Sequence, residues 1–200
     1  MNKGVNKMTH DEILELFEKN GVLIKGHFIL TSGRHSSTYL QCASLLQYPT
    51  ATEKAVKELA KKLEGIEVET VVGPAMGGIL LSYEIARTLG ARAIFTERVD
   101  GEMALRRGFK VNPGEKVLVA EDVVTTGGSV KEVIAVMKSL GADVVAVAGL
   151  VDRSGSNVAF GVPAHFLVSI TAESYAPDQC PLCKKGVPAE KPGSRIFCER

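Results

Sequence analysis

The stretch VLVAEDVVTTGGS at positions 117–129 limits the possible folds of this chain more than any other. Val117, Leu118, Val119 and Ala120 make a short apolar run, the pattern of a parallel strand buried on both faces. Glu121 and Asp122 follow at the strand's C-terminal end, the edge where open α/β sheets bind ligands. Val123, Val124, Thr125, Thr126, Gly127, Gly128 and Ser129 then form a loop of small and hydroxyl-bearing residues, and an apolar periodic helix is predicted over 130–140. Such a loop frees backbone N–H groups to converge on an anion at a helix N-terminus.

Two common phosphate motifs are excluded on the residues. A Walker loop needs a lysine after its glycines, but Ser129 follows Gly128 directly. The Gly-x-Gly-x-x-Gly spacing of a dinucleotide site is absent as well. What is left is an acid pair beside a cradle for one phosphate. Carboxylates suit ribose hydroxyls and Mg²⁺, and backbone amides suit a phosphate monoester.

The rest of the chain repeats the strand–helix alternation. Thr9 and Glu12 read as a capping box opening a first helix, and a strand is expected over 22–30 with a second short one at 39–42. A helix over 50–63, a strand at 69–72, a loop GPAMGG at 73–78, a helix at 79–89 and a strand at 91–96 follow. Two further strands are expected at 144–151 and 165–170. This order implies an α/β fold, a parallel sheet flanked by helices. With 200 residues, 45% hydrophobic and 24% charged, a single globular domain is expected, its core spanning about 50–171. A net charge of +1 points to neither nucleic acid nor an anionic membrane as a partner. No apolar stretch approaches a membrane span, and the N-terminus lacks signal-peptide features, so a cytoplasmic protein is expected.

Three segments carry further signals. The connection 97–110 is long for a compact α/β domain and holds Arg98, Arg106, Arg107 and Lys110. A solvated hairpin would account for its charges, while a mobile lid closing over pyrophosphate accounts for both charge and length. The glycines of GPAMGG allow close backbone approach to an anion on the same sheet edge. Cys180 and Cys183 form a Cys-Pro-Leu-Cys pair in a Pro-rich tail, with Cys198 beyond and Cys42 far upstream. No second Cys-x-x-Cys or His pair follows at finger-like spacing, so reduced thiols are favoured over a zinc site, with a three-cysteine or intersubunit site left open. His27 and His165 are read as packed strand residues, and His10 as a surface residue.

The acid pair with TTGGS resembles the PRPP (phosphoribosyl pyrophosphate) motif of the type I phosphoribosyltransferases. LTSGRHSSTY at 30–39, GPAMGG at 73–78 and VDR at 151–153 narrow the resemblance to the orotate phosphoribosyltransferases. The resemblance implies a small N-terminal hood at about 20–45, a mobile lid and a C-terminal tail at 172–200. It also implies transfer of the phosphoribosyl group of PRPP to orotate, giving orotidine 5′-monophosphate and pyrophosphate in pyrimidine biosynthesis. By the same resemblance Glu121 and Asp122 hold the ribose, and Mg²⁺ is held mainly through PRPP. Residues 123–129 cradle the 5′-phosphate, and Arg98, Arg106 and Arg107 serve the pyrophosphate, Arg106 as a catalytic cation. Thr125, Arg153 and Tyr39 would bind orotate, whose carboxylate suits a guanidinium. The lid would reach the neighbouring site of a homodimer. Three positions depart from the pattern: the lid has no histidine, and Thr31 and Gly77 stand where lysines are common. A purine-salvage transferase or a PRPP-sensing regulator would share the motif, but the first has no use for Arg153 against a carboxylate. The second normally adds a DNA-binding domain or a basic face.

Overall fold

The structure, a computed structural model, describes residues 7–30, 32–170 and 173–192. Helix α1 (His10–Lys19) opens with the expected reciprocal cap, Thr9 Oγ1 accepting from the Glu12 amide and Glu12 accepting from the Thr9 amide. Strands β1 (Leu23–Ile29) and β2 (His35–Leu40) pair antiparallel. The second strand thus begins at His35, ahead of the expected 39–42. A local polar run, HSST, hides it in the sequence, because His35 and Ser36 are buried beside the tail, with Ser36 Oγ donating to the Glu173 carbonyl. A short helix α2 (Ala43–Leu46) was not legible, and it leads into α3 (Pro49–Lys61).

The main body follows as β3 (Thr70–Pro74), α4 (Gly77–Leu89), β4 (Arg92–Val99), β5 (Glu102–Leu105), β6 (Lys116–Val124), α5 (Gly128–Ser139), β7 (Asp143–Asp152) and β8 (Ala164–Ser169). The six-stranded sheet runs β5-β4-β3-β6-β7-β8, parallel throughout except for β5. Alternate residues of β6 serve opposite faces. Leu118 and Ala120 pack toward Leu59, Leu81 and Ile85, while Val117 and Val119 pack toward Val130, Val133 and Met137. Helices α3 and α4 therefore cover one face and α5 the other. Leu118 is fully buried, so truncating it to alanine costs about 2–5 kcal/mol.

The chain closes with β9 (Ser174–Tyr175), a 3₁₀ turn at 177–179 and α6 (Pro181–Lys184). Strand β9 pairs with β2, giving a separate three-stranded sheet β1-β2-β9. Glu190 bridges to the other side of that sheet at Phe28, and its amide donates to the His27 carbonyl at 2.8 Å. The tail thus lies along both sides of the β1-β2 pair. Thr31 and Cys198 lie outside the described residues.

Candidate active site

Strand β6 carries the acid pair to the sheet's C-terminal edge. It lies centrally, between β3 and β7, and continues through Val124, so Glu121 and Asp122 sit within the strand rather than just after it. Their neighbourhood holds charge at a cost. Burial, then the adjoining Asp122 carboxylate, pushes Glu121 up to about 8. Burial likewise raises Asp122 above the usual carboxylate range, while the Val123 amide donating to Asp122 Oδ1 at 2.8 Å pulls the other way. Such a pair gains most when a cation or hydroxyl donors arrive.

The loop after β6 closes a small concavity of about 50 Å³ lined by Glu121 and residues 123–130. Gly127 caps α5 with φ at +73°, and a Cβ there would lie 2.5 Å from Val158 Cγ1. Both backbone conformation and space demand glycine. Gly77, in the second glycine loop, faces the acids directly. A Cβ on Gly77 would stand 2.8 Å from Asp122 Oδ2. The glycine thereby makes room for a carboxylate, a role its sequence pattern alone did not reveal.

A larger cavity of about 550 Å³ adjoins the phosphate loop, with Val123, Thr125 and Thr126 lining both. Tyr39 from β2, Thr125 and Arg153 meet in it, although they lie far apart in sequence. Arg153 is half-buried and forms no ion pair among the described residues. Burial lowers its proton affinity, offset in part by the Tyr39 hydroxyl. Its backbone is fixed by donation to the Val124 carbonyl at 2.8 Å. The adjacent Asp152 organises the following turn, accepting from the amides and hydroxyls of Ser154 and Ser156. Burial opposes its ionisation, but those hydrogen bonds outweigh burial and hold its carboxyl below the usual range. Ser174 and Pro192 of the tail complete the wall, two residues that sequence reasoning missed. Nothing local marks them, because only the pairing of β9 and Glu190 with the small sheet brings them there.

The arginine-rich connection is a hairpin over its first half, β4 running out to Val99 and β5 returning to Leu105. Arg107 forks onto Glu97 with two contacts of 2.9 Å, and Arg98 pairs with Glu132 at 2.6 Å. Arg106 makes no ion pair among the described residues, though it is close enough to help lower Glu97. Among the described residues the structure therefore brings the acid pair, the phosphate loop and the base-cavity residues together, and leaves two of the three named lid arginines on carboxylates of the same chain.

Known proteins resemble this chain along most of its length. The phosphoribosyl transferase domain family model matches residues 44–173. An orotate phosphoribosyltransferase of Thermotoga maritima is 60% identical over 92% of this chain and 98% of its own length. That of Desulforamulus reducens is 57% identical over 94% and 98%. Among solved structures, orotate phosphoribosyltransferase from Aeropyrum pernix superposes with a TM-score of 0.69 at 27% identity, covering 79% of this chain and 93% of that one. A match spanning more than half of the chain, joined to near full-length identity this high, places it in the phosphoribosyltransferase family, among the orotate phosphoribosyltransferases.

Proposed function

We propose that this chain joins orotate to the ribose of PRPP, releasing pyrophosphate and forming orotidine 5′-monophosphate for pyrimidine biosynthesis. The observation that carries this reading is the convergence of Tyr39, Thr125 and Arg153, which has no ion pair among the described residues, in a cavity that shares a wall with the phosphate loop. The orotate ring nitrogen, its proton given up to solvent, forms a bond to the ribose C1 while the bond from C1 to the pyrophosphate oxygen breaks, its electron pair leaving with pyrophosphate. Positive charge builds on the sugar and negative charge on the leaving group.

Glu121 and Asp122 hold the ribose hydroxyls and face the developing positive charge. The amides of Thr125, Thr126, Gly127, Gly128 and Ser129, with the Thr126 and Ser129 hydroxyls, hold the 5′-phosphate at the start of α5, and Val123 and Val124, which belong to β6, line the same concavity. Arg153 pairs with the orotate carboxylate, Thr125 donates to the base, and the Tyr39 ring packs against its face. Positioning supplies much of the rate, since orotate's nitrogen needs no protein base.

The donor set fits Mg²⁺ carried on PRPP: Glu121 and Asp122 offer two carboxylates whose raised proton affinity a cation would relieve, too few for a protein cage. When bound, Mg²⁺ would supply positive charge that stabilises the leaving pyrophosphate. Arg106, without an ion pair among the described residues, is poised to meet pyrophosphate, whereas Arg98 and Arg107 exchange Glu132 and Glu97 for phosphate oxygens as the hairpin closes. The closing hairpin serves the neighbouring site of a homodimer. The assigned compartment is the cytoplasm; among the described residues no helix is long and apolar enough to cross a membrane. The test is formation of orotidine 5′-monophosphate from PRPP and orotate, with adenine, hypoxanthine and uracil as alternative acceptors. Turnover confined to orotate supports the reading, and turnover with a purine instead overturns it.

A further inference from the structure

Beneath the tail, four side chains gather that the transfer reaction does not use: His27 from β1, His35 from β2, and Cys180 and Cys183 flanking the start of α6. One ligand atom from each lies within 4.8 Å of every other. His27 Nε2 is 2.8 Å from His35 Nδ1, 3.5 Å from Cys180 Sγ and 3.7 Å from Cys183 Sγ, and Cys183 Sγ is 3.2 Å from His35 Nδ1. Three of the four are buried, and Cys183 closes the cluster from the surface. The histidine pair that the cysteines lack downstream is supplied from some 150 residues upstream, which is why spacing along the chain did not reveal it.

The orientation of His27 is informative. Its Nδ1 lies 2.7 Å from the Val187 carbonyl, which can only accept, so Nδ1 carries the proton and Nε2 presents a lone pair to the cluster. A backbone carbonyl fixing the far nitrogen is the usual outer support of a metal-binding histidine. A bulge makes this possible: between Lys25 and Phe28 strand β1 holds one residue more than β2, and His27 and Phe28 are consecutively buried. In hydrogen bonds alone, His35 Nδ1 has to serve both His27 Nε2 and Cys183 Sγ. One cation at the centre satisfies all four atoms together. Zinc bonds of about 2.0–2.1 Å to nitrogen and 2.3 Å to sulfur put the ligand atoms of a tetrahedron roughly 3.3–3.8 Å apart. The three N···S distances lie close to that range, and binding widens the N···N pair by about half an ångström.

We propose that His27, His35, Cys180 and Cys183 form a structural site for a zinc-type divalent ion that fastens the tail to the small sheet. The tail brings Ser174 and Pro192 to the base cavity, and Arg34 reinforces the same junction by donating to the Ser174 hydroxyl and carbonyl. The ion thereby holds one wall of that cavity, an extension that rests on the orotate reading, whereas the ion site itself does not.

The test begins with the full chain, produced with zinc and assayed by elemental analysis and thiol titration. About one ion per chain is expected, with Cys180 and Cys183 unreactive until chelation. Cobalt-loaded protein should show the intense visible bands of a tetrahedral ion with thiolate ligands. Cys183→Ala and His35→Ala should lose the ion and the bands, and Cys42→Ala should keep both. Stripping the wild-type chain should lower Tm and raise KM for orotate several-fold with little change in KM for PRPP. A chain that takes up neither metal with its thiols reduced, or a Cys180–Cys183 disulfide in the native protein, overturns the site. Full metal content with no effect of stripping on Tm overturns the fastening. Metal content and spectra stay readable whatever base the enzyme uses.

Discussion

Arg153→Ala isolates the recognition of the base from the rest of the chemistry. The guanidinium stands half-buried in the cavity and pairs with no carboxylate among the described residues, so the free enzyme bears its desolvation without return. Truncation should therefore leave the unliganded fold within about 0.5 kcal/mol of wild type, and Tm nearly unmoved. Binding is another matter. Removing one partner of a hydrogen-bonded charge pair costs about 2–5 kcal/mol, and the partial exposure of Arg153 argues for the lower part of that span. A loss of about 2–3 kcal/mol is a roughly 30- to 150-fold rise in KM for orotate. The Val124–Arg153 backbone bond survives the substitution, so the phosphate loop is undisturbed and KM for PRPP should stay within about twofold. Initial rates over a matrix of both substrates decide the matter. Equal losses for both substrates, or an unchanged KM for orotate, would refute the assignment of Arg153 to the carboxylate.

Three further outcomes follow from the same geometry. Glu121 titrates at about 8 in the fold against about 4.3 in the unfolded chain, so between those values the folded state binds more protons and stability falls as pH rises. Unliganded Glu121→Gln should lack that part of the decline, as thermal melts from about pH 5 to 8 would show; parallel wild-type and variant slopes would contradict it. Gly77→Ala places a methyl against the Asp122 carboxylate, which can swing aside cheaply but leaves its working position; kcat should drop by about tenfold or more while Tm changes little. A fall in Tm with kcat intact would show the opposite coupling. Mixing inactive Arg106→Ala/Arg107→Ala chains with inactive Asp122→Asn chains should restore activity, because a hybrid dimer with shared sites keeps one intact; no recovery after confirmed subunit exchange would assign the hairpin to its own subunit.

The sheet was legible because its physics is local. The apolar run of β6, the acids near its C-terminal end and the glycines that open α5 all follow from neighbouring residues, although the strand runs on past the acids to Val124. The small sheet was harder to read. Strand β2 begins at His35 inside a polar run whose burial depends on Glu173, Ser174 and Tyr175, far away in sequence. Long-range contact also explains the cysteines. Reduced thiols in a tail is what CPLC reads as alone, and only the fold shows two histidines opposite them. The arginine-rich connection was harder for another reason: a hairpin explains its charges and a lid explains both charges and length, and one segment can be both. The structure shows the hairpin, with Arg98 and Arg107 on acids of the same chain.

The tail's grip on the small sheet also sets an order of assembly. Arg34 meets Ser174 across 140 residues, His27 meets Cys180 across 153, and His27 meets Val187 across 160. Contacts of such sequence separation form late, since the loop between them has to close first. The phosphate loop, built from β6 and α5 with their immediate neighbours, can mature well before them. On the proposed assignment, a chain that has emerged only through β8 already carries the loop before α5, while the larger cavity still lacks the wall that Ser174 and Pro192 supply. Recognition of the sugar phosphate should then be an early property of this polypeptide, and discrimination among bases one acquired only when the tail comes home.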